Sequence, residues 1–299
     1  MAEGQRDVVG GLLTAVAAIL FGAIVTIGRS ATVRDVPVSS LLAVRFGTAA
    51  AVLALILVAR RQSLRPAPGE GRRLALLGAV GYAVESAFFF LALGRGTAAT
   101  VTLLFYTYPV WVAVLTAALG MGVPGALVGG SLLAAVAGSG VVVASSGGLD
   151  ITALGIGFAL ASAFTIAFFL IGVDTLITRT PSLASSMWIA LSASAAHTTF
   201  ALVSGTGRLL HAEEQIPVLS MGVLTSGAFF LLFLGVRRLG AVRASIISSL
   251  EPVAAAGLAL AFLAESVRLG VLAGGALILG GAVAATLARG VREPEDALP

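Results

Sequence analysis

Ten stretches of this chain, at about 8–28, 38–59, 74–95, 98–118, 124–144, 152–173, 183–204, 218–236, 242–263 and 270–288, are apolar almost without interruption. Each approaches the ~20 residues that an α-helix needs to cross a hydrocarbon core about 30 Å thick, and the connections between them are short. The residues left over cannot clothe a large soluble domain. Only 11% of the chain is charged, against about 25% in soluble proteins. Apolar and polar residues do not alternate over ~10-residue segments, which argues against a transmembrane β-barrel. The sequence therefore predicts an all-α integral membrane protein with ten transmembrane helices. The first run is expected to be retained rather than cleaved, because its leader MAEGQRD lacks a basic n-region and the run exceeds the usual 7–15 residues of a signal core.

The scarce charge has its own pattern. All 18 basic residues are Arg, and the accompanying excess of Ala, Gly and Val suits a GC-rich bacterial genome, hence a bacterial inner membrane. Net charge is +4, but the Arg residues are scattered between apolar runs rather than gathered on one face, so nucleic acid is not an expected partner. They fit the positive-inside rule instead. With the N-terminus inside, Arg6, Arg60, Arg61, Arg65, Arg72, Arg73, Arg179, Arg237, Arg238, Arg243, Arg289 and Arg292 fall on the cytoplasmic side. Arg29, Arg34, Arg95, Arg208 and Arg268 fall opposite, and Arg45 lies inside the second run. Both termini are predicted to be cytoplasmic. The absence of Cys excludes a disulfide framework, a thiolate metal site and a cysteine nucleophile. No Walker pattern is present, and neither cofactor nor metal is expected.

The chain also repeats itself. Setting Pro109 against Pro252, an offset of 143 residues, aligns Ala98 with Ala241, Leu103 with Ile246, Leu104 with Ile247, Tyr108 with Glu251 and Val110 with Val253. Halves of 1–148 and 149–299 would each hold five runs. Five is odd, so the second half must enter the membrane from the opposite side, giving inverted repeats, a recurrent transporter architecture.

Four stretches carry a family resemblance: LLAVRFGTAA around Arg45, FFFLALGRGTAATVTLLFYTYPV, its echo FLLFLGVRRLGAVRASIISSLEPV, and EPVAAAGLALAFLAES with Glu265. Over essentially the whole chain the sequence resembles the EamA family of the drug/metabolite transporter superfamily. That resemblance implies a secondary carrier of a small organic solute, such as an amino acid, a related metabolite or a drug, with export the expected direction.

Charges inside a membrane span cost about 2.5–3.5 kcal/mol on insertion scales and usually face a cavity or a partner. Glu85, Glu251 and Arg45 are such charges. At 1.5 Å per residue, Glu85 lies about 16 Å and Glu251 about 14 Å into their spans, near the midplane, with Arg45 several ångströms from Glu85 in depth. An Arg45–Glu85 ion pair is therefore expected to be feasible. Tyr82 shares a helix face with Glu85, and Trp111 with Tyr108, at i, i+3 spacing. Pro109 and Pro252 are expected to kink their helices and free the carbonyls of Phe105 and Ser248. The predicted solute site is thus Arg45, Tyr82, Glu85, Tyr108, Trp111, Ser248 and Glu251, with Glu85 and Glu251 as candidates for proton coupling.

Other polar residues have plainer readings. Tyr106 is expected to pack, Trp188 to sit in an interfacial belt, and His211, Glu213 and Glu214 to be solvated, as are Asp174 and Glu265 near helix ends. GALVG and GVLAG in the fifth and tenth runs should allow close helix packing, with a homodimer as a secondary expectation. Two competing functions are a non-transporting receptor or scaffold, and an intramembrane hydrolase built from Ser139 and His197, for which no feature brings the pair together.

Overall fold

The structure is a computed structural model that describes residues 3–28, 36–96, 98–146, 151–263 and 269–287. The elements are helices α1 (Glu3–Gly28), α2 (Val38–Ala59), α3 (Gly71–Leu93), α4 (Ala98–Phe105), α5 (Tyr108–Ala118), α6 (Ala126–Ser146), α7 (Ala153–Leu176), α8 (Ser182–Ser204), α9 (Ala212–Ser248), α10 (Glu251–Leu263) and α11 (Leu269–Leu287). Six of these, α1, α2, α3, α7, α8 and α9, are long and apolar enough to cross a membrane. Several side chains on the outer faces are exposed and apolar, among them Leu12, Leu55, Phe200, Leu202 and Leu272. Exposed apolar surface of that extent is a liability in water and the natural state against lipid.

The predicted runs and the helices differ at two places, the fourth and the ninth runs. The fourth run is split at Tyr106 and Thr107 into α4 and α5. The eighth run and the start of the ninth are two helical arms of α9 that meet at Gly240, whose backbone is not helical (φ 78°, ψ 165°), a conformation that costs glycine little, and this falls in the gap expected between those runs. The ninth run then breaks at Ser249 and Leu250 before α10.

Both prolines lie just beyond these breaks rather than at the centre of a kinked helix. Pro109 and Pro252 are the second residues of α5 and α10, where a missing N–H removes no helical bond. The chain ahead of Pro252 tightens instead: the Ser249 and Leu250 amides donate to Ile246 and Ile247, three residues back. That releases the carbonyl of Ser245, which accepts from the Tyr108 hydroxyl at 3.1 Å. The consequential freed carbonyl is therefore at Ser245, one turn earlier than the predicted Ser248.

Packing follows the repeat. α1 lies against α9 and α3 against α7, a pair of contacts that interchange when the two halves are exchanged, while α2 packs on α8 and α6 on α11. A Cβ on Gly138 would stand 2.6 Å from the Gly274 carbonyl oxygen, and one on Gly281 would stand 2.8 Å from that of Ser131. These glycines set the α6–α11 approach. Gly125 and Gly129 of the GALVG segment meet nothing within 4 Å, so the close contact lies further along the helix than that motif suggested.

Gly138→Ala should accordingly lower stability by about 1–3 kcal/mol, because rigid backbone must move. Gly129→Ala should be neutral or stabilising through its better helix propensity. Denaturation of the two variants in detergent compares them, and equal stability would remove Gly138 from its assigned place.

Candidate functional site

Two faces of the bundle are defined by their contacts. On the N-terminal face, Asp7 at the start of α1 pairs with Arg243, 3.0 Å away. Glu70 before α3 reaches residues 178–180, and Arg237 donates to the carbonyls of Ile177 and Thr180. On the opposite face, Ser39 and Ser40 at the start of α2 meet Thr206 and the Arg208 amide.

A cavity of about 160 Å³ lies between the halves, comparable with the ~150 Å³ that accommodates benzene in an engineered core. Its walls come from the last turns of α1 (Phe21 to Gly28) and α3 (Phe89, Phe90, Leu93), the early part of α2 (Arg45), α4 (Thr102, Phe105) and the early part of α9 (Met221). These segments all lie toward the face opposite the N-terminus. Deeper in, Tyr82, Glu85, Ser86, Tyr108, Ile166, Leu170, Leu232, Ser248 and Glu251 complete the lining.

Below it the bundle is sealed by aromatic rings. Tyr82 meets Phe46, Phe169 and Phe229 at centroid distances of 5.4, 5.1 and 4.7 Å, and Phe233 stacks on Phe229 at 5.8 Å. All four phenylalanines are fully buried. Edge-to-face contacts of this kind add to the burial energy of each ring.

The structure brings six of the seven predicted site residues, Arg45, Tyr82, Glu85, Tyr108, Ser248 and Glu251, to this one cavity. Trp111 is elsewhere: its ring packs edge-on against Phe164 of α7 at 5.4 Å. Three residues turn a helix by about 300°, and the 60° left over carries Trp111 from the Tyr108 direction onto α7.

Arg45 and Glu85 form no ion pair among the described residues. Each is held across the two halves by a hydroxyl instead. Arg45 Nε donates to Thr225 Oγ1 of α9 at 2.8 Å, and its guanidinium carbon stands 5.0 Å from the centre of the Phe46 ring. Ser162 of α7 donates to Glu85 Oε1 at 3.1 Å. Tyr106, buried and expected merely to pack, makes a side-chain hydrogen bond with Glu251. Sequence reasoning missed Thr225, Ser162 and Tyr106, although the helix break ahead of Pro109 singles out Tyr106 as a residue off the regular face.

His197 meets Ser86 with 3.2 Å between Nε2 and Oγ, whereas Ser139 donates to the Ala135 carbonyl in its own helix. The Ser139–His197 pair of the hydrolase reading is thus not formed. Asp174 accepts from the Ala241 amide at 2.9 Å and caps the helical arm after Gly240. Glu214, expected to be solvated, is buried and accepts from Arg208 at 2.5 and 2.7 Å and from the His211 amide at 2.8 Å. Trp188 Nε1 donates to the Leu64 carbonyl at 2.8 Å. Glu265, Arg29, Arg34, Arg268, Arg289 and Arg292 lie outside the described residues.

A helical membrane bundle of two similar halves with a charged, aromatic-walled cavity between them has the architecture of a membrane transporter. The EamA-like transporter family model matches residues 9–144 and again 153–287, and the chain belongs to that family. No curated protein matches the sequence. Among solved structures, a crystal structure of a protein superposes with a TM-score of 0.78 at 22% sequence identity, over 93% of this chain and 96% of its own. A likeness at that identity bears on the fold.

Proposed function

We propose that the protein is a secondary transporter that binds a small organic solute between its halves, 1–148 and 149–299, and alternates access across a bacterial inner membrane in the export direction. In this reading the chain crosses the bilayer ten times, with both termini cytoplasmic and the second half inverted relative to the first. The observation that carries it is the cavity. It is built from both halves and collects Arg45, Glu85 and Glu251 where membrane burial would otherwise penalise charge.

The lining suits a solute with a cationic nitrogen, held by a carboxylate and aromatic faces, and an apolar part about the size of one ring. An anionic group would face Arg45. Amino acids, related metabolites and compact drugs share that chemistry. Protons are the proposed coupling ion, with Glu85 or Glu251 changing protonation as the site changes sides. With the Arg-rich face cytoplasmic, the cavity is open outward and the aromatic seal around Tyr82 is its closed inner side.

Flux measured in proteoliposomes against a panel of competing amino acids, amines and aromatic drugs tests the reading. Competition by at least one of these classes is expected, with Glu251→Gln reducing flux at least tenfold, the scale of one lost charge-assisted contact. Wild-type flux that persists unchanged after the pH gradient is dissipated would reject obligatory proton coupling. Undiminished flux in Glu251→Gln would move the site elsewhere.

A further inference from the structure

We propose that Glu70 is the latch that keeps the N-terminal face closed, its keeper being the backbone of residues 178–180 in the opposite half of the chain. This inference rests on the alternating-access reading above, and its test is built to separate the two.

The geometry is that of a made lock rather than a surface contact. Glu70 precedes α3 in the loop after α2, yet its side chain is 1% exposed. Oε1 accepts from the Thr178 amide at 3.0 Å and the Arg179 amide at 2.9 Å, while Oε2 accepts from the Thr180 amide at 2.8 Å and from the Thr180 hydroxyl. Three consecutive amides converging on one carboxylate form an anion nest, and here the anion belongs to the other half of the molecule.

Neighbouring contacts close the same seam. The Ala67 amide donates to Thr180 Oγ1 at 2.9 Å and Arg179 donates to the Pro68 carbonyl, while Arg237, within the second half, braces the keeper through the carbonyls of Ile177 and Thr180. The Arg179 guanidinium stands 3.9 Å from Oε1. The seam lies on the face away from the cavity mouth, over the aromatic seal. A solute leaving by that face requires the α2–α3 loop and the α7–α8 linker to part, and the Glu70 bonds cross the line of parting.

Burial alone would raise the Glu70 carboxyl, but its bonds from the Thr180 hydroxyl and the amides of Arg179, Thr180 and Thr178 prevail and hold it well below the usual range, at about 2. A depressed folded value contributes stability that is present above the ordinary carboxylate range near 4.5 and lost as pH falls through about 2. With Arg179 and Arg237 the charged groups beside it, the latch stays ionised from pH 5 to 8. Closure of this face should not vary across that interval, and the proton that drives transport must act elsewhere.

The native chain has no Cys, so spin-label pairs can be introduced directly. Gln62→Cys with Leu176→Cys reports on the N-terminal face, and Leu91→Cys with Leu209→Cys on the opposite one. In Glu70→Gln the ratio of open to closed N-terminal face should rise about tenfold, with the opposite pair drawing together. The milder Thr180→Val keeps the carboxylate and should shift both pairs the same way by less.

Distances in Glu70→Gln that match the parent, or a widening of both faces together, would overturn the latch. Flux assays on the same proteins separate the two ideas. A wild-type protein that moves no tested solute while Glu70→Gln still exchanges the faces leaves the latch standing and counts against transport. A wild-type transporter whose faces ignore Glu70→Gln sinks the latch alone.

Discussion

Arg45→Ala is expected to lower solute affinity by about 10²- to 10³-fold, the range that truncating one partner of a buried hydrogen-bonded charge pair produces. Arg45 is 7% exposed, and among the described residues it is the one basic side chain lining the cavity. An anionic or zwitterionic solute would lose its cationic partner. Lysine should restore only part of the affinity, because a point charge reproduces neither the Nε bond to Thr225 nor stacking near Phe46.

Thr225→Val separates charge from aim. Thr225 Oγ1 accepts from Arg45 while donating to its own Met221 carbonyl. Valine keeps the shape and frees the guanidinium to turn, so affinity should drop about tenfold while Arg45 remains charged. Equilibrium binding of whichever solute competes best, measured on the purified parent and the three variants, orders them. If Arg45→Ala binds as well as the parent, Arg45 serves packing only.

Much of this molecule could be read before its structure, and the limits have physical reasons. Hydropathy located the apolar runs because lipid imposes a length and an apolarity on each segment independently. It could not see the breaks. Tyr106 and Thr107 sit inside one apolar run and Ser249 and Leu250 inside another, whereas the turn at Gly240 falls in the gap between the eighth and ninth runs. The charged members of the site stood out because charge in a bilayer is costly wherever it lies. Ser162 and Thr225 did not, since a hydroxyl can satisfy itself on its own helix. Their roles arise only when α7 meets α3 and α9 meets α2, across 77 and 180 residues of sequence. Glu70 was hidden for the opposite reason: in a loop rich in Arg and Pro, a carboxylate reads as solvated until the other half closes over it.

The aromatic seal makes the largest stability claim. Phe229 is 0% exposed and touches rings from three other helices: Phe21 of α1 at 6.2 Å, Phe46 of α2 at 6.2 Å and Tyr82 of α3 at 4.7 Å. Phe229→Ala should cost about 3–5 kcal/mol, the usual sum of lost transfer energy and an unfilled cavity for a core phenylalanine. The site has little room to collapse, because its neighbours are themselves held by further rings, Tyr82 by Phe169 and Phe46 by His197. Leucine in the same place should recover more than half the loss, as it refills most of the volume without the edge-to-face contact to Tyr82. Denaturant unfolding in a single detergent measures both variants, and a loss below about 1 kcal/mol for alanine would mean that the seal is loosely packed. If it is well packed, the same cavity should weaken the barrier beneath the solute site, and small solutes should leak through Phe229→Ala proteoliposomes without any gradient. Leak and instability would then share one cause, the loss of the ring that joins α1, α2 and α3 of the first half to α9 of the second.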